Sequence, residues 1–267
     1  MQQAVYWMIS TYQLSFSHAR HPVIADLSTH FSSGKVHAIL GANGAGKSTL
    51  LKLLAGELIP QRGHIYMNTV PLSHLTHRAL AQIRAVLPQN PALNFSLKVR
   101  DIVEMGTYPF LPLTSTKVAQ LIHHCLSLTD TQHLVDRLYL TLSGGEQQRI
   151  QLSRTLVQIL APAKKINKRF LFLDEPTTHL DPRHQHHILQ LTKQLATEHD
   201  IGIIVVLHDV NLAIQYADTF LLLANSGMVA HGSKEILTAQ NLERVYYLRP
   251  TIMPHPLLLN QPLVLFQ

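Results

Sequence analysis

Residues 41–48 read Gly-Ala-Asn-Gly-Ala-Gly-Lys-Ser, between a short apolar run, Val36 to Leu40, and a stretch of helical spacing from Lys47 to Leu58. This G-x-x-x-x-G-K-S spacing between a strand and a helix constrains the chain more than any other feature. The glycines Gly41, Gly44 and Gly46 admit positive φ, so with Ala42, Asn43 and Ala45 the loop can turn successive N–H groups onto one anion. The helix N-terminus adds the positive end of its dipole. In such a loop Lys47 reaches the β- and γ-phosphates, and the Ser48 hydroxyl ligates Mg²⁺. A nucleoside triphosphate site is the expectation.

Two further apolar runs end in polar residues. Phe170 to Leu173 stops at Asp174 and Glu175, and Ile201 to Leu207 stops at His208. Continuous apolar runs separated by helical patterns predict strands of a parallel sheet buried on both faces, with ligands at the carboxyl ends of the strands. Asp174 is expected to hold Mg²⁺, usually through water, and Glu175 to orient and deprotonate an attacking water. An acidic turn that merely solvates a strand end is the alternative for this pair. His208 is either a structural hydrogen-bonding group or a sensor of the γ-phosphate. Ser143, Gly144, Gly145 and Glu146 form an S-x-x-E capping box opening a helix to Leu160. Its bare glycine N–H groups make a second anion site, far along the chain from the first.

The 267 residues carry one cysteine, Cys125, which rules out an intrachain disulfide. Only 14% are charged, which suggests that a partner covers part of the surface. Lys and Arg exceed Asp and Glu, 22 to 16, but no block of like charge favours a nucleic-acid partner. The longest apolar run falls far short of the roughly 20 residues a bilayer needs. With no Lys or Arg before Arg20, a secretory signal is not expected, and the chain is read as cytoplasmic. Prolines and helical spacing predict a helical insertion over 89–161 within an α/β core of 1–88 and 162–245. Short strand patterns near the N-terminus and over 62–70 complete the core. Residues 246–267, rich in Pro and Leu, receive no assignment.

Gly41–Ser48, Leu142-Ser-Gly-Gly-Glu146, Leu171-Phe-Leu-Asp-Glu175 and His208 together resemble the nucleotide-binding subunits of ABC transporters. The resemblance covers about residues 10–245, and LSGGE is its most specific segment. It implies an α/β P-loop NTPase (RecA-like) core with a small antiparallel β subdomain and an inserted α-helical subdomain. By the same resemblance Gln89 senses the γ-phosphate and Mg²⁺, Asp174 is a metal-side acid, Glu175 the catalytic base and His208 the switch. Thr49 joins the phosphate loop as a nucleotide contact. Asp181, in TTHLD, lies on a loop crossing a dimer interface. Ser143 to Glu146 contact ATP held by the other copy, so two subunits would share two ATP molecules. The family's adenine-stacking tyrosine is replaced; Phe16 is the expected ring, with Tyr12 close by. Implied partners are a second ATPase subunit, two copies of a transmembrane permease and, indirectly, a periplasmic haem-binding protein. The implied location is peripheral, on the cytoplasmic face of the bacterial inner membrane.

Within the family, LSGGEQQRIQLSRTLVQIL, APAKKINKRF and VLHDVNLAIQYAD resemble the haem importer ATPases most, with siderophore and cobalamin importers next. Val103 to Pro109 resembles a segment of the helical region where the permease docks. Soluble ABC ATPases of translation, repair or cluster assembly are the competing class. Their double cassettes or long coiled-coil insertions do not match one cassette with an insertion of about 70 residues. The 18 histidines, among them His18, His21, His123, His124, His184, His186 and His187, invite a metal or haem reading. Their spacing forms no clear zinc pattern and lacks cysteine partners, so a polar surface role is preferred.

Overall fold

The computed structural model describes residues 7–89, 96–110, 112–161 and 169–266. In chain order the first elements are β1 (Met8–His18), β2 (His21–Ser32), β3 (Val36–Gly41), α1 (Lys47–Leu54), β4 (Arg62–Met67) and β5 (Val70–Pro71). There follow α2 (His77–Ile83), β6 (Arg84–Leu87), α3 (Val99–Glu104), α4 (Ser115–Leu128), α5 (Gly144–Leu160), β7 (Arg169–Asp174) and α6 (Pro182–His199). The chain continues with β8 (Ile201–Val206), α7 (Val210–Tyr216), β9 (Thr219–Ala224), β10 (Gly227–Gly232), α8 (Ala239–Tyr246), β11 (Thr251–Pro254) and β12 (Pro262–Leu265).

A six-stranded sheet runs β10-β9-β3-β8-β7-β6, parallel throughout except for the β10–β9 hairpin. Its strands alternate between two cores. Leu171 and Leu173 of β7, with Ile203 and Val205 of β8, enter the larger core beneath α5 and α6. Phe170, Phe172, Ile204 and Val206 enter the other, beneath α1 and the second sheet. With both faces buried, these strands carry apolar side chains at every position, the continuous runs of the sequence. The second sheet, β2-β1-β4-β5, is antiparallel throughout.

The predicted helix from Lys47 stops at Leu54 rather than Leu58. Gly56, at φ 71°, takes the left-handed conformation that commonly ends a helix. Helices α3, α4 and α5 pack on one another, and α5 also packs on β6 and β7. The domain boundaries expected at 88/89 and 161/162 adjoin residues 90–95 and 162–168. Those residues, including most of APAKKINKRF, lie outside the described ones. The unassigned tail holds the end of α8 and a hairpin, β11 paired antiparallel with β12. Among the described residues no helix is long and apolar enough to cross a membrane.

Where the two sheets meet, His37 of β3 is buried. Its Nε2 donates to the Ser32 carbonyl at 2.8 Å and its Nδ1 accepts from the Thr219 hydroxyl at 2.6 Å, which fixes one neutral tautomer. Burial pushes its pKa from 6.5 down to about 4; the Ser32 hydrogen bond opposes this and the His231 charge adds to it. The unfolded chain therefore binds the proton first, so stability falls as pH drops from 6.5 towards 4. The loss from this group is about 3 kcal/mol at pH 4. Urea unfolding of His37→Gln should be less stable at pH 7 and decline less steeply over that window. Parallel declines for both proteins would refute the account.

Candidate functional site

β3 delivers the phosphate loop. A Cβ at Gly41 would stand 2.7 Å from the Leu223 carbonyl oxygen. At Gly46, which caps α1 with φ 94°, it would stand 2.8 Å from the Val23 carbonyl oxygen. Both positions therefore require glycine. The Ala45 N–H turns back onto the Ala42 carbonyl at 3.2 Å, tightening the loop. Lys47 is buried, and its ammonium donates to the carbonyls of Gly41 and Ala42 at 2.9 and 3.0 Å. Burial lowers its pKa, while the carboxylates of Glu175 and Asp174 pull it back up.

β7 delivers Asp174 and β8 leads to His208, so three adjacent strands end at one edge. Ser48 donates to Asp174 Oδ1 at 3.0 Å. Burial raises the Asp174 pKa; the Ser48 hydrogen bond opposes that rise, and the Glu175 charge adds to it. Glu175 leaves the strand with φ 53° and is itself buried. Its Oε1 lies 2.7 Å from His208 Nε2, and its Oε2 accepts from the Thr178 hydroxyl at 3.3 Å. Thr178, as a holder of Glu175, was not singled out from sequence; its signal is the spacing of three residues across the turn at Pro176.

Asn43, Gly44, Gly46, Lys47, Ser48, Thr49, Gln89 and Glu175 line one cavity of about 380 Å³. Asp174 reaches it through Ser48, and His208 through Glu175. Of the rings near this cavity, the two expected from sequence lie off its lining. Phe16 packs half-buried against the core under α1, and Tyr12 stands exposed beside His64 on the neighbouring strand β4. His18 lines the cavity instead, edge-on to Phe16 with ring centroids 5.1 Å apart. Leu14 is buried in the core, Phe16 packs against that core, and His18 ends the strand exposed. The core takes the first two, and the turn after His18 leaves that ring at the loop.

A second cavity, of about 400 Å³, shares no lining residue with the first. It is lined by Ser143, Gly144, Gly145, Glu146, Leu180 and Asp181, among others. Ser143 caps α5 through the expected box: its N–H donates to Glu146 Oε2 at 2.7 Å, and its Oγ accepts from the Glu146 N–H at 3.4 Å. The Ser143 N–H, together with the Ser143 hydroxyl that donates to the same oxygen at 2.8 Å, holds the Glu146 carboxyl below its ordinary pKa. A Cβ on Gly145 would lie 3.0 Å from the His179 carbonyl oxygen, so the two loops touch backbone to backbone. Asp181 caps α6, accepting from the His184 N–H at 2.9 Å, and its other oxygen lies 2.8 Å from His184 Nδ1. His186 Nδ1 pairs with the Tyr216 hydroxyl, and His187 Nε2 donates to the Leu128 carbonyl. Among the described residues no cluster of three or more His, Cys, Asp or Glu could hold a metal ion.

Residues 24–178 match the family described as ABC transporter. The hemin import ATP-binding protein of Bordetella avium is 46% identical over 91% of this chain and 93% of its own length. That of Hydrogenovibrio crunogenus is 41% identical over 93% and 96%. In structure, an inward-facing metal-chelate type ABC transporter superposes with a TM-score of 0.80 at 26% identity, covering 98% of this chain and 97% of that one. A dimeric bacterial ABC transporter cassette, 21% identical over 84% and 98%, shares the fold with a TM-score of 0.75.

The cavity geometry makes a direct prediction. His18→Ala should weaken ATP binding by about tenfold, the scale of one base stacked on a ring. Phe16→Ala should lower thermal stability more than affinity. Titration calorimetry with ATP that ranked the two affinities the other way would assign the stacking role to Phe16.

Proposed function

Since the chain belongs to the ABC transporter family, we propose that it hydrolyses ATP to energise import of haem through a membrane permease. The observation that carries haem is the 46% identity to a hemin import ATP-binding protein along nearly the whole of both chains. A wider reading, import of another metal chelate, draws on the metal-chelate type transporter at 26% identity.

The two separate cavities support a catalytic unit of two copies. One copy grips ATP with Gly41–Thr49 while the other covers the phosphates with Ser143–Glu146 and Asp181. A two-fold axis then gives two equivalent sites. In the nucleotide-binding step the γ-phosphate draws Lys47 from the loop carbonyls, exchanging two neutral acceptors for a charged one. Ser48 and Asp174 are hard oxygen donors 3.0 Å apart beside Gln89, a set that fits Mg²⁺. When bound, that ion offsets phosphate charge. Glu175 takes the proton of the attacking water, and His208, within hydrogen-bond reach of it, holds the base and senses the γ-phosphate. Gln89 at the cavity wall reports occupancy to the helical region.

The residues 89–161 form the unit that meets the permease, inserted between core segments 1–88 and 162–245. A groove of about 870 Å³, lined by Arg100, Glu104, Leu113, Val118, Ile122 and Leu126 among others, suits an apolar permease segment with charged ends. The protein then sits on the cytoplasmic face of the inner membrane, and a periplasmic haem-binding protein acts through the permease.

ATPase activity of the complex reconstituted with its permease should rise when haem-loaded binding protein is added. Stimulation by a siderophore- or cobalamin-loaded protein alone would reassign the cargo. Glu175→Gln should bind ATP and accumulate as a closed dimer, with turnover reduced by about 10²–10⁴. Wild-type turnover in that variant would remove Glu175 as the base.

A further inference from the structure

The segment after α8 has no part in the cycle just described, yet it is tied to the hydrolytic machinery at two points. Asn211, in the first turn of α7, donates from Nδ2 to the Val264 carbonyl at 2.9 Å. Its Oδ1 accepts from the Val264 N–H, also at 2.9 Å. The amide thus does what a neighbouring strand's peptide would do for β12, whose opposite edge is paired with β11. Val264 is buried in the larger core, so this pair is partly shielded from water. The same turn is held from its other side: Asp209 Oδ1 accepts from the N–H groups of Asn211 and Leu212 at 2.7 and 3.0 Å. Asp209 directly follows His208, the residue 2.7 Å from Glu175. Only Asp209 and Val210 separate the braced residue from the histidine.

The second tie runs to the phosphate loop. Phe266, just past β12, packs edge-on against Tyr246 with ring centroids 5.2 Å apart. The Tyr246 hydroxyl is buried against the Gly41 backbone, without reaching hydrogen-bond geometry. Gly41 is where β3 gives way to the loop. The hairpin therefore backs both the switch histidine and the loop entry.

We propose that the C-terminal hairpin, Thr251–Leu265, is a brace that holds His208 over Glu175 through Asn211, which makes Asn211 a positioning residue for ATP hydrolysis. This rests on the ATPase reading above. Asn211 touches neither cavity lining of the nucleotide site, so its loss leaves the binding contacts in place and disturbs the reacting geometry. Misplacement of a catalytic group by about 1 Å costs up to about 10²-fold in rate.

The test is steady-state ATPase of the full-length protein. Asn211→Ala should lower kcat about tenfold with the KM for ATP within about twofold. A chain ending at Arg249 should lose at least as much, since it also gives up the Phe266 contact with Tyr246. Asn211→Ala in that shortened chain should add nothing further, because the truncation has already removed its Val264 partner. Leu259→Ser, at the exposed hairpin tip, should leave kcat unchanged. Wild-type kcat in Asn211→Ala, a rise in KM matching the fall in kcat, or multiplying losses in the double variant would each overturn the brace. Should the shortened chain not fold, Asn211→Ala alone decides through its kcat and KM. Failure of the wild-type protein to hydrolyse ATP would instead sink the ATPase reading.

Discussion

Three parallel strands, β3, β8 and β7, hydrogen-bond side by side with both faces sealed by apolar packing. Polar groups can then sit only at the strand ends, and parallel pairing puts all three carboxyl ends along one edge. The phosphate loop, the Asp174-Glu175 pair and His208 are neighbours for that reason, although residues 41 and 208 are far apart in the chain. Everything else in the site is a variation on this edge. The second sheet closes one side of it, and α5 closes the other while carrying Ser143 away from Lys47.

Each reactive group at the edge already has an internal partner. Lys47 is held by two loop carbonyls, Ser48 by Asp174, and Glu175 by His208 and Thr178. Buried polar groups left unpaired cost free energy, so the fold satisfies them locally. The same economy sets the tautomer of His37 and the amide orientation of Asn211, both of which face backbone groups with nowhere else to turn.

The sheet was readable from sequence because buried parallel strands carry unbroken apolar runs and because the glycine loop has one chemical solution. The capping box was equally plain, since Ser143 and Glu146 are local to each other. The place of His18 at the phosphate-loop cavity was not. An imidazole does not stand out among 18 histidines, and only the fold, which ends β1 beside the phosphate loop, brings His18 to the cavity. The terminal hairpin was hidden differently. Its strands are four residues each, carry Pro254 and Pro262 at their ends and are flanked by Pro250 and Pro256, so they read as coil. What organises it is a contact with Asn211, 53 residues away, which no local pattern announces.

Glu175 adopts φ 53°, a backbone region that costs a non-glycine residue on the order of 1 kcal/mol or more. The turn into Pro176 imposes it, and the Thr178 and His208 contacts maintain it. Tension is thus kept at the very carboxylate assigned to the chemistry. Glycine there would relax the main chain and remove the acid, so a sturdier protein and a working one are opposed at this position. Selection for thermal robustness alone would drift away from glutamate at this position.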